Sequence, residues 1–234
     1  MLIAPGSGWS ETLRLVADPW PPFSDARMEG GGLATAIVSM ALERAGYSVH
    51  VDEVPWARAL LGIGDGRYDV LVDAWYTAER ARLGKFSSGY LTNRVRFIRR
   101  RDSNVDFSNG LQGLAPYPIA VVRGYAYSPD FDNATQLQKV PVQNFAAAIT
   151  MLLGGRVKLA IEDEYVATYQ LNQEPLAVRN QVELLEPPLA ENSLHILVSL
   201  KHPEHDAIVT GFDQAIAAMR DDGSLARLFK RYGL

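Results

Sequence analysis

Val70-Leu71-Val72-Asp73-Ala74-Trp75-Tyr76-Thr77-Ala78-Glu79-Arg80 decides how this chain is read. Val70-Leu71-Val72 is a short apolar run of the kind that fills a buried strand. Thr77 is a good N-cap residue, so a short helix is expected after it. Arg80 then lies in the first turn of that helix, close to the end of the strand. In open α/β sheets, ligands bind just outside the carboxyl ends of the strands. A guanidinium there can hold a carboxylate by two parallel hydrogen bonds, which lysine cannot copy. Equally, Arg80 could be a surface ion paired with Glu79 or another nearby carboxylate.

Upstream, Leu13-Arg14-Leu15-Val16-Ala17 reads as a first strand, followed by Asp18-Pro19-Trp20-Pro21-Pro22-Phe23. Three prolines make this a rigid extended loop. Phe23 is expected in the core and Trp20 half exposed, because tryptophan is rarely buried completely. Gly30-Gly31-Gly32 has neither dinucleotide-binding spacing nor the Lys-Ser/Thr of a phosphate loop, so it reads as a turn. Leu33, Ala36, Ile37, Met40, Ala41 and Ala45 then share one helical face, closed by Gly46. A strand over 48–53 follows. Pro55-Trp56 opens a second helix, where proline is tolerated, and Gly64 and Gly66 close it.

Downstream, Arg94-Val95-Arg96-Phe97-Ile98-Arg99-Arg100-Arg101 alternates at its start like a half-buried strand. No aromatic platform interleaves with the arginines, and the chain carries a net charge of -4. The run therefore reads as a solvated strand and not as a nucleic-acid patch. The spacing predicts strands over 118–122, 137–142 and 159–161, and a helix after Gly124-Tyr125-Ala126. It also predicts a helix over 145–153 capped by Asn144. Residues 186–193 read as a linker and 194–198 as a strand. A long helix with Ile208, Val209, Phe212, Ile216 and Met219 on one face comes next, and Gly223 separates it from a last helix. One echo links the two halves of the chain. Gly66-Arg67-Tyr68-Asp69-Val70-Leu71-Val72-Asp73 resembles Gly155-Arg156-Val157-Lys158-Leu159-Ala160-Ile161-Glu162. Each is glycine, arginine, apolar strand, acid, as expected of two α/β lobes built alike.

The 234 residues allow one large or two small domains, and 47% hydrophobic content suffices for a core. With no cysteine, there can be no disulfide, thiolate metal site or cysteine nucleophile. No apolar run approaches the roughly 20 residues of a membrane span. Met1–Gly8 is too short and uncharged for a signal peptide and reads as a trimmed start or an expression remnant. The four histidines lack metal-ligand spacing, and His202 and His205 are expected at the surface. No nucleophile elbow occurs. Glu162, Asp163 and Glu164 could be catalytic carboxylates or a cation site, although sequence neighbours do not all point one way.

Taken together, these segments resemble the solute-binding proteins of bacterial ABC importers, in the polar amino acid group (family 3, type 2 periplasmic-binding fold). The carriers are Pro21-Pro22-Phe23, the Gly30–Gly46 helix unit, Gly66-x-x-Asp69-Val70, Thr77-Ala78-Glu79-Arg80, Phe86-Ser87-x-x-Tyr90 and Ala120-Val121-x-x-Gly124. The ending Asp222-Gly223-Ser224…Tyr232-Gly233 completes the set. The resemblance implies an α/β chain of two lobes, each a mostly parallel sheet flanked by helices, joined by two hinge crossings. Lobe 1 would hold residues 11–93 and 195–234, and lobe 2 residues 94–194. It implies that Arg80 grips a ligand carboxylate with help from Thr77 and from the backbone N–H groups of Tyr125 and Ala126. Asp163 would receive the ammonium, with carbonyls near Asp73 and Trp75, while Trp20 and Trp56 form walls. Trp75-Tyr76 and Tyr125-Ala126 depart from the small residues usual in the family. The implied function is capture of an amino-acid-like zwitterion in the periplasm for an inner-membrane ABC permease. The implied protein is a monomer without catalytic residues, metal, cofactor or nucleic-acid partner. Two other readings are a receptor's ligand-sensing domain and a cyclohexadienyl-dehydratase-like enzyme.

Overall fold

A computed structural model describes residues 11–233. The stretch read as a trimmed start lies outside them. In chain order the first half holds β1 (Thr12–Ala17), α1 (Leu33–Arg44), β2 (Ser48–Glu53), α2 (Trp56–Asp65), β3 (Val70–Trp75), β4 (Gly84–Phe86) and β5 (Leu91–Arg100). There follow α3 (Gly110–Gly113), β6 (Ile119–Val122), α4 (Pro129–Asn133), β7 (Lys139–Val142), α5 (Phe145–Leu153), β8 (Leu159–Asp163), α6 (Glu164–Gln173) and α7 (Leu176–Arg179). The chain ends with β9 (Val182–Leu184), β10 (Ala190–Ser199), α8 (His205–Asp221) and α9 (Ser224–Arg231).

The strands form one sheet in the order β2-β1-β3-β10-β5-β8-β6-β7, with β4 on β10 and β9 on β5. Two parallel blocks, β2-β1-β3 and β8-β6-β7, are the sheets of two lobes. Between them β5 and β10 run antiparallel, from Ala190 opposite Val95 to Leu194 opposite Leu91. These are the two crossings, and each is a long strand. Residues 190–193 therefore belong to a strand and not to a linker. Their polar sequence, Ala-Glu-Asn-Ser, hides a strand whose backbone is paired by β5 and whose side chains alternate half-buried and exposed.

Local chemistry sets the boundaries. Asn144 accepts from the Ala147 amide at 3.0 Å and starts α5 where its side chain predicts. Gly66 and Gly155, which carry the sequence echo, both take positive φ (80° and 70°) in the turn ahead of their strand. The turn after Thr77 is a single 3-10 turn over Arg80–Arg82, because Thr77 Oγ1 accepts from the Arg80 amide at 3.1 Å and β4 begins at Gly84. After Gly124 the chain stays irregular until Ser128 caps α4. The arginine run is more paired than solvated. Arg96 is buried and meets Glu164 at 2.9 Å, while Arg99 meets Glu183 at 2.8 Å. His202 is also buried, against Glu11 at 3.3 Å.

Gly32 sits where α1 enters under the Trp20–Phe23 turn, at φ 93° and ψ 169°. A Cβ there would lie 2.6 Å from the Phe23 carbonyl oxygen. Both conformation and space exclude a side chain, and the conformation alone costs about 1–3 kcal/mol for other residues. Gly32→Ala is thus expected to lower urea-unfolding stability by roughly 2 kcal/mol or more, and a loss under 0.5 kcal/mol would contradict this account.

Candidate functional site

Three apolar strand sequences end on an acid: Ala17-Asp18, Val72-Asp73 and Ile161-Glu162. The β1–β3 register, Leu15 opposite Val70 and Val16 opposite Leu71, places Asp18 beside Asp73 two steps on. Both line a small cavity of about 20 Å³ between the lobes, and so does Arg80. The remaining walls are Trp20, Trp56, Trp75, Tyr125, Ala126 and Leu194. That volume holds about one water, so any larger solute needs the lobes to part. A groove of about 1160 Å³ adjoins it and shares Trp75, Arg80, Tyr125 and Ala126 with the cavity. Arg80 thus stands between cavity and groove.

The lobes touch through their own side chains. Trp20 Nε1 donates to Glu162 Oε1 at 3.2 Å, and Tyr125 OH donates to Asp18 Oδ2 at 2.8 Å. Trp56 Nε1 donates to the Gly124 carbonyl at 3.1 Å. Trp75 Nε1 donates to Asn93 Oδ1 at 2.9 Å. Every indole N–H of the walls is therefore occupied, and rings alone face inward. Trp20 and Trp75 meet edge to face, with centroids 5.5 Å apart. Trp20 is 6% exposed, against the half exposure expected, because lobe 2 covers it through Glu162.

Arg80 is buried, and its guanidinium lies 4.7 Å from the Trp56 ring centroid. It donates to the carbonyls of Trp75 (2.7 Å) and Gly124 (3.4 Å). Among the described residues no carboxylate lies within ion-pair distance of it. Burial pushes its pKa down to about 10, against the pull of Asp132 and Asp18. The surface pairing with Glu79 that the sequence left open does not form.

The acids are driven the other way. Burial raises Asp18 to about 6 even though Tyr125 donates to it. Asp73 is raised well above the carboxylate range by burial and by Asp18. Its Oδ2 accepts from Ser24 Oγ, while its Oδ1 is buried without a hydrogen-bond partner among the described residues. Burial lifts Glu162 to about 8; its Oε1 also accepts from the Asp163 amide at 2.8 Å. Asp163 is raised to about 6, again by burial. Its Oδ1 caps α6, accepting from the Tyr165 and Val166 amides at 2.9 and 3.0 Å. Asp163 lines neither the cavity nor the groove.

Of the residues singled out from sequence, Arg80, Trp20, Trp56, Trp75, Tyr125, Ala126 and Asp73 are brought together at the cavity. Thr77 lines the adjoining groove, and Asp163 stands apart. Asp18, Ser24 and Glu162 complete the polar surroundings. The acid ending each apolar strand was the signal that could have marked Asp18. Among the described residues no cluster of His, Asp and Glu is arranged to hold a metal.

The family model of the bacterial extracellular solute-binding proteins, family 3, matches residues 13–234. No curated protein matches the sequence. Similar solved structures include an ancestral arginine-binding protein bound to arginine, at 20% identity and TM-score 0.78, covering 94% of this chain and 97% of that one. A histidine kinase sensor domain with similarity to periplasmic binding proteins superposes at TM-score 0.82 with 18% identity, covering 95% and 96%. The GluR0 ligand-binding core from Nostoc punctiforme, in complex with L-glutamate, gives 0.78 at 16% identity, covering 94% and 98%.

Proposed function

Because the chain belongs to the bacterial extracellular solute-binding proteins of family 3, we propose that it captures a small amino-acid-like zwitterion between its lobes and delivers it to an ABC importer. On this reading it works in the periplasm, as a monomer, and catalyses nothing. Lobe 1 comprises residues 11–93 and 195–234, and lobe 2 residues 94–194. The observation that carries the reading is Arg80, a buried guanidinium with no carboxylate at ion-pair distance among the described residues. A buried unpaired charge is costly, so the site favours an anion that fits the fork. Thr77 orders the turn that presents Arg80, and the N–H groups of Tyr125 and Ala126 complete the carboxylate site from the other lobe. Trp20, Trp56 and Trp75 wall the solute's carbon skeleton.

The solute enters by the groove with the lobes parted and holds them closed once bound. A thermal-shift screen over amino acids, opines and small carboxylates tests this, since a bound solute raises stability by mass action. At least one carboxylate-bearing solute is expected to raise the melting temperature, compact the protein in small-angle scattering and change tryptophan emission. If no carboxylate-bearing solute stabilised the protein, the reading would fall.

The likeness to a histidine kinase sensor domain favours a second reading, in which the same module senses its solute for a membrane receptor. A full-length gene that continues past Leu234 into a membrane-spanning segment would select it.

A further inference from the structure

Resting on that reading, we infer that the groove beside the cavity takes the far end of an extended solute, and that Arg82 and Arg123 bind a second carboxylate there. The groove holds the free space, about 1160 Å³ against about 20 Å³ for the cavity. The polar groups around the cavity are engaged with one another, Trp20 with Glu162, Tyr125 with Asp18 and Trp56 with the Gly124 carbonyl. Arg80 stands on the boundary of the two spaces. A solute whose head is held at Arg80 therefore extends outward from there.

Arg82 lies in the 3-10 turn after β3, and Arg123 follows β6. Each of the two parallel blocks thus presents one guanidinium to the groove. Both are exposed, and among the described residues neither has an ion pair or a side-chain hydrogen bond. The other charges of the groove are mostly committed. Lys139 donates to the Asp132 carbonyl at 2.8 Å, and both Asp132 carboxylate oxygens accept from the Tyr127 amide. Glu191 meets Arg94 at 3.6 Å. Glu79 lines the groove and pairs with neither arginine. Two uncommitted cations are left facing one groove on a chain whose net charge is -4.

Their placement couples the far end of the solute to closure. Drawing the lobes together brings two like charges nearer, which opposes closure. A carboxylate between them replaces that repulsion with two attractions, each open to the fork geometry of a guanidinium. Tyr76, an exposed ring packed on Phe86 with centroids 5.1 Å apart, lines the same groove and gives the connecting chain an apolar ledge. The solute class is an amino acid with a second carboxylate several bonds from the first. Because both guanidiniums are exposed, the gain from each is modest and falls with salt.

The test uses the intact protein with L-aspartate, L-glutamate, L-2-aminoadipate, L-2-aminopimelate, L-2-aminosuberate and γ-L-glutamylglycine as probes. Each is paired with the amide of its far carboxylate, which keeps the length and removes the charge. Thermal shift ranks the probes, and calorimetry measures the best diacid and its amide. A diacid longer than glutamate is expected to bind best and to exceed its own amide by about tenfold or more. Arg82→Gln and Arg123→Gln are each expected to weaken the diacid about threefold or more and the amide less than about twofold. The preference for the diacid thus narrows, a readout that misfolding would not give. Raising salt from about 0.05 to 0.5 M is expected to narrow it likewise. Arg156→Gln removes the same charge from an exposed position outside cavity and groove, and is expected to leave both affinities unchanged. A preference that both groove variants left intact, or amides that bound as tightly as their diacids, would overturn the inference. So would binding of the standard amino acids but of no longer diacid. In each of these cases, loss of binding in Arg80→Met would leave the carboxylate clamp standing. If neither diacids, amides nor standard amino acids bound, the parent reading would fall and the inference with it.

Discussion

Arg80→Met is expected to lose most solute binding while leaving the unliganded protein as stable as the parent, or more so. Removing one partner of a buried charge pair costs on the order of 2–5 kcal/mol, because the solute's carboxylate is left desolvated and unmatched. That is about a thirtyfold to several-thousandfold rise in Kd. The unliganded protein behaves differently because Arg80 has no carboxylate partner in it among the described residues, and burial already works against its charge. Methionine keeps a long stem against Trp56 and removes the buried ion. Of the two carbonyls released, that of Gly124 still receives the Trp56 N–H, and loss of the 2.7 Å bond to the Trp75 carbonyl is offset by removal of the buried ion. Calorimetry with the best-stabilising amino acid and urea unfolding of both proteins read the two halves separately. Binding within threefold of the parent would refute the clamp. Unaltered binding loss joined to a large drop in unliganded stability would mean that Arg80 is a structural ion.

Stability of the unliganded protein is expected to fall as pH rises from 5 to 9. Glu162 is held protonated by burial, with a pKa of about 8 in the folded chain against an ordinary 4.5. A group raised on folding contributes stability that is complete below the lower value and is lost as pH rises through the higher one. Asp18 and Asp163, both raised to about 6, act in the same direction over pH 4–6. The Glu162 shift alone corresponds to roughly 3–5 kcal/mol across that window. Glu162→Gln keeps an oxygen acceptor for Trp20 and for the Asp163 amide but cannot ionise. Its melting temperature is expected to decline less between pH 6 and 9 and to exceed the parent's at pH 9. Parallel pH profiles for the two proteins would show that Glu162 ionises freely and that the account is wrong.

Much of this architecture can be read from residues whose effects are local. Asn144 marks the start of α5 because capping acts within one turn. Arg80 stands out because it follows an apolar strand and a capping threonine. Other features depend on partners far away in sequence. Trp20 is buried by Glu162, 142 residues on. Residues 190–193 are a strand because β5 pairs them. Arg96, within a run that reads as solvated, is covered by Glu164 and Glu186 from later elements. Asp163 is the instructive case. An acid after an apolar strand suits a ligand site and a helix N-cap equally, and here the two backbone amides of α6 hold it. Asp18 and Asp73 have the same sequence context with no helix following directly, so their carboxylates stay in the cavity.

The pairing of β5 with β10 reaches beyond geometry. Lobes tied by two loose loops could adopt many mutual orientations, whereas two strands hydrogen-bonded to each other from Leu91 to Val95 confine the motion to bending and twisting of a single ladder. The fraction of molecules already in the binding-competent arrangement then depends on how stiff and how twisted that ladder is, and apparent affinity scales with this fraction. Substitutions at its half-exposed Arg94, which lines neither the cavity nor the groove, are expected to retune solute affinity without touching the solute. Selection thus has a dial for affinity that is separate from the residues that set chemical identity.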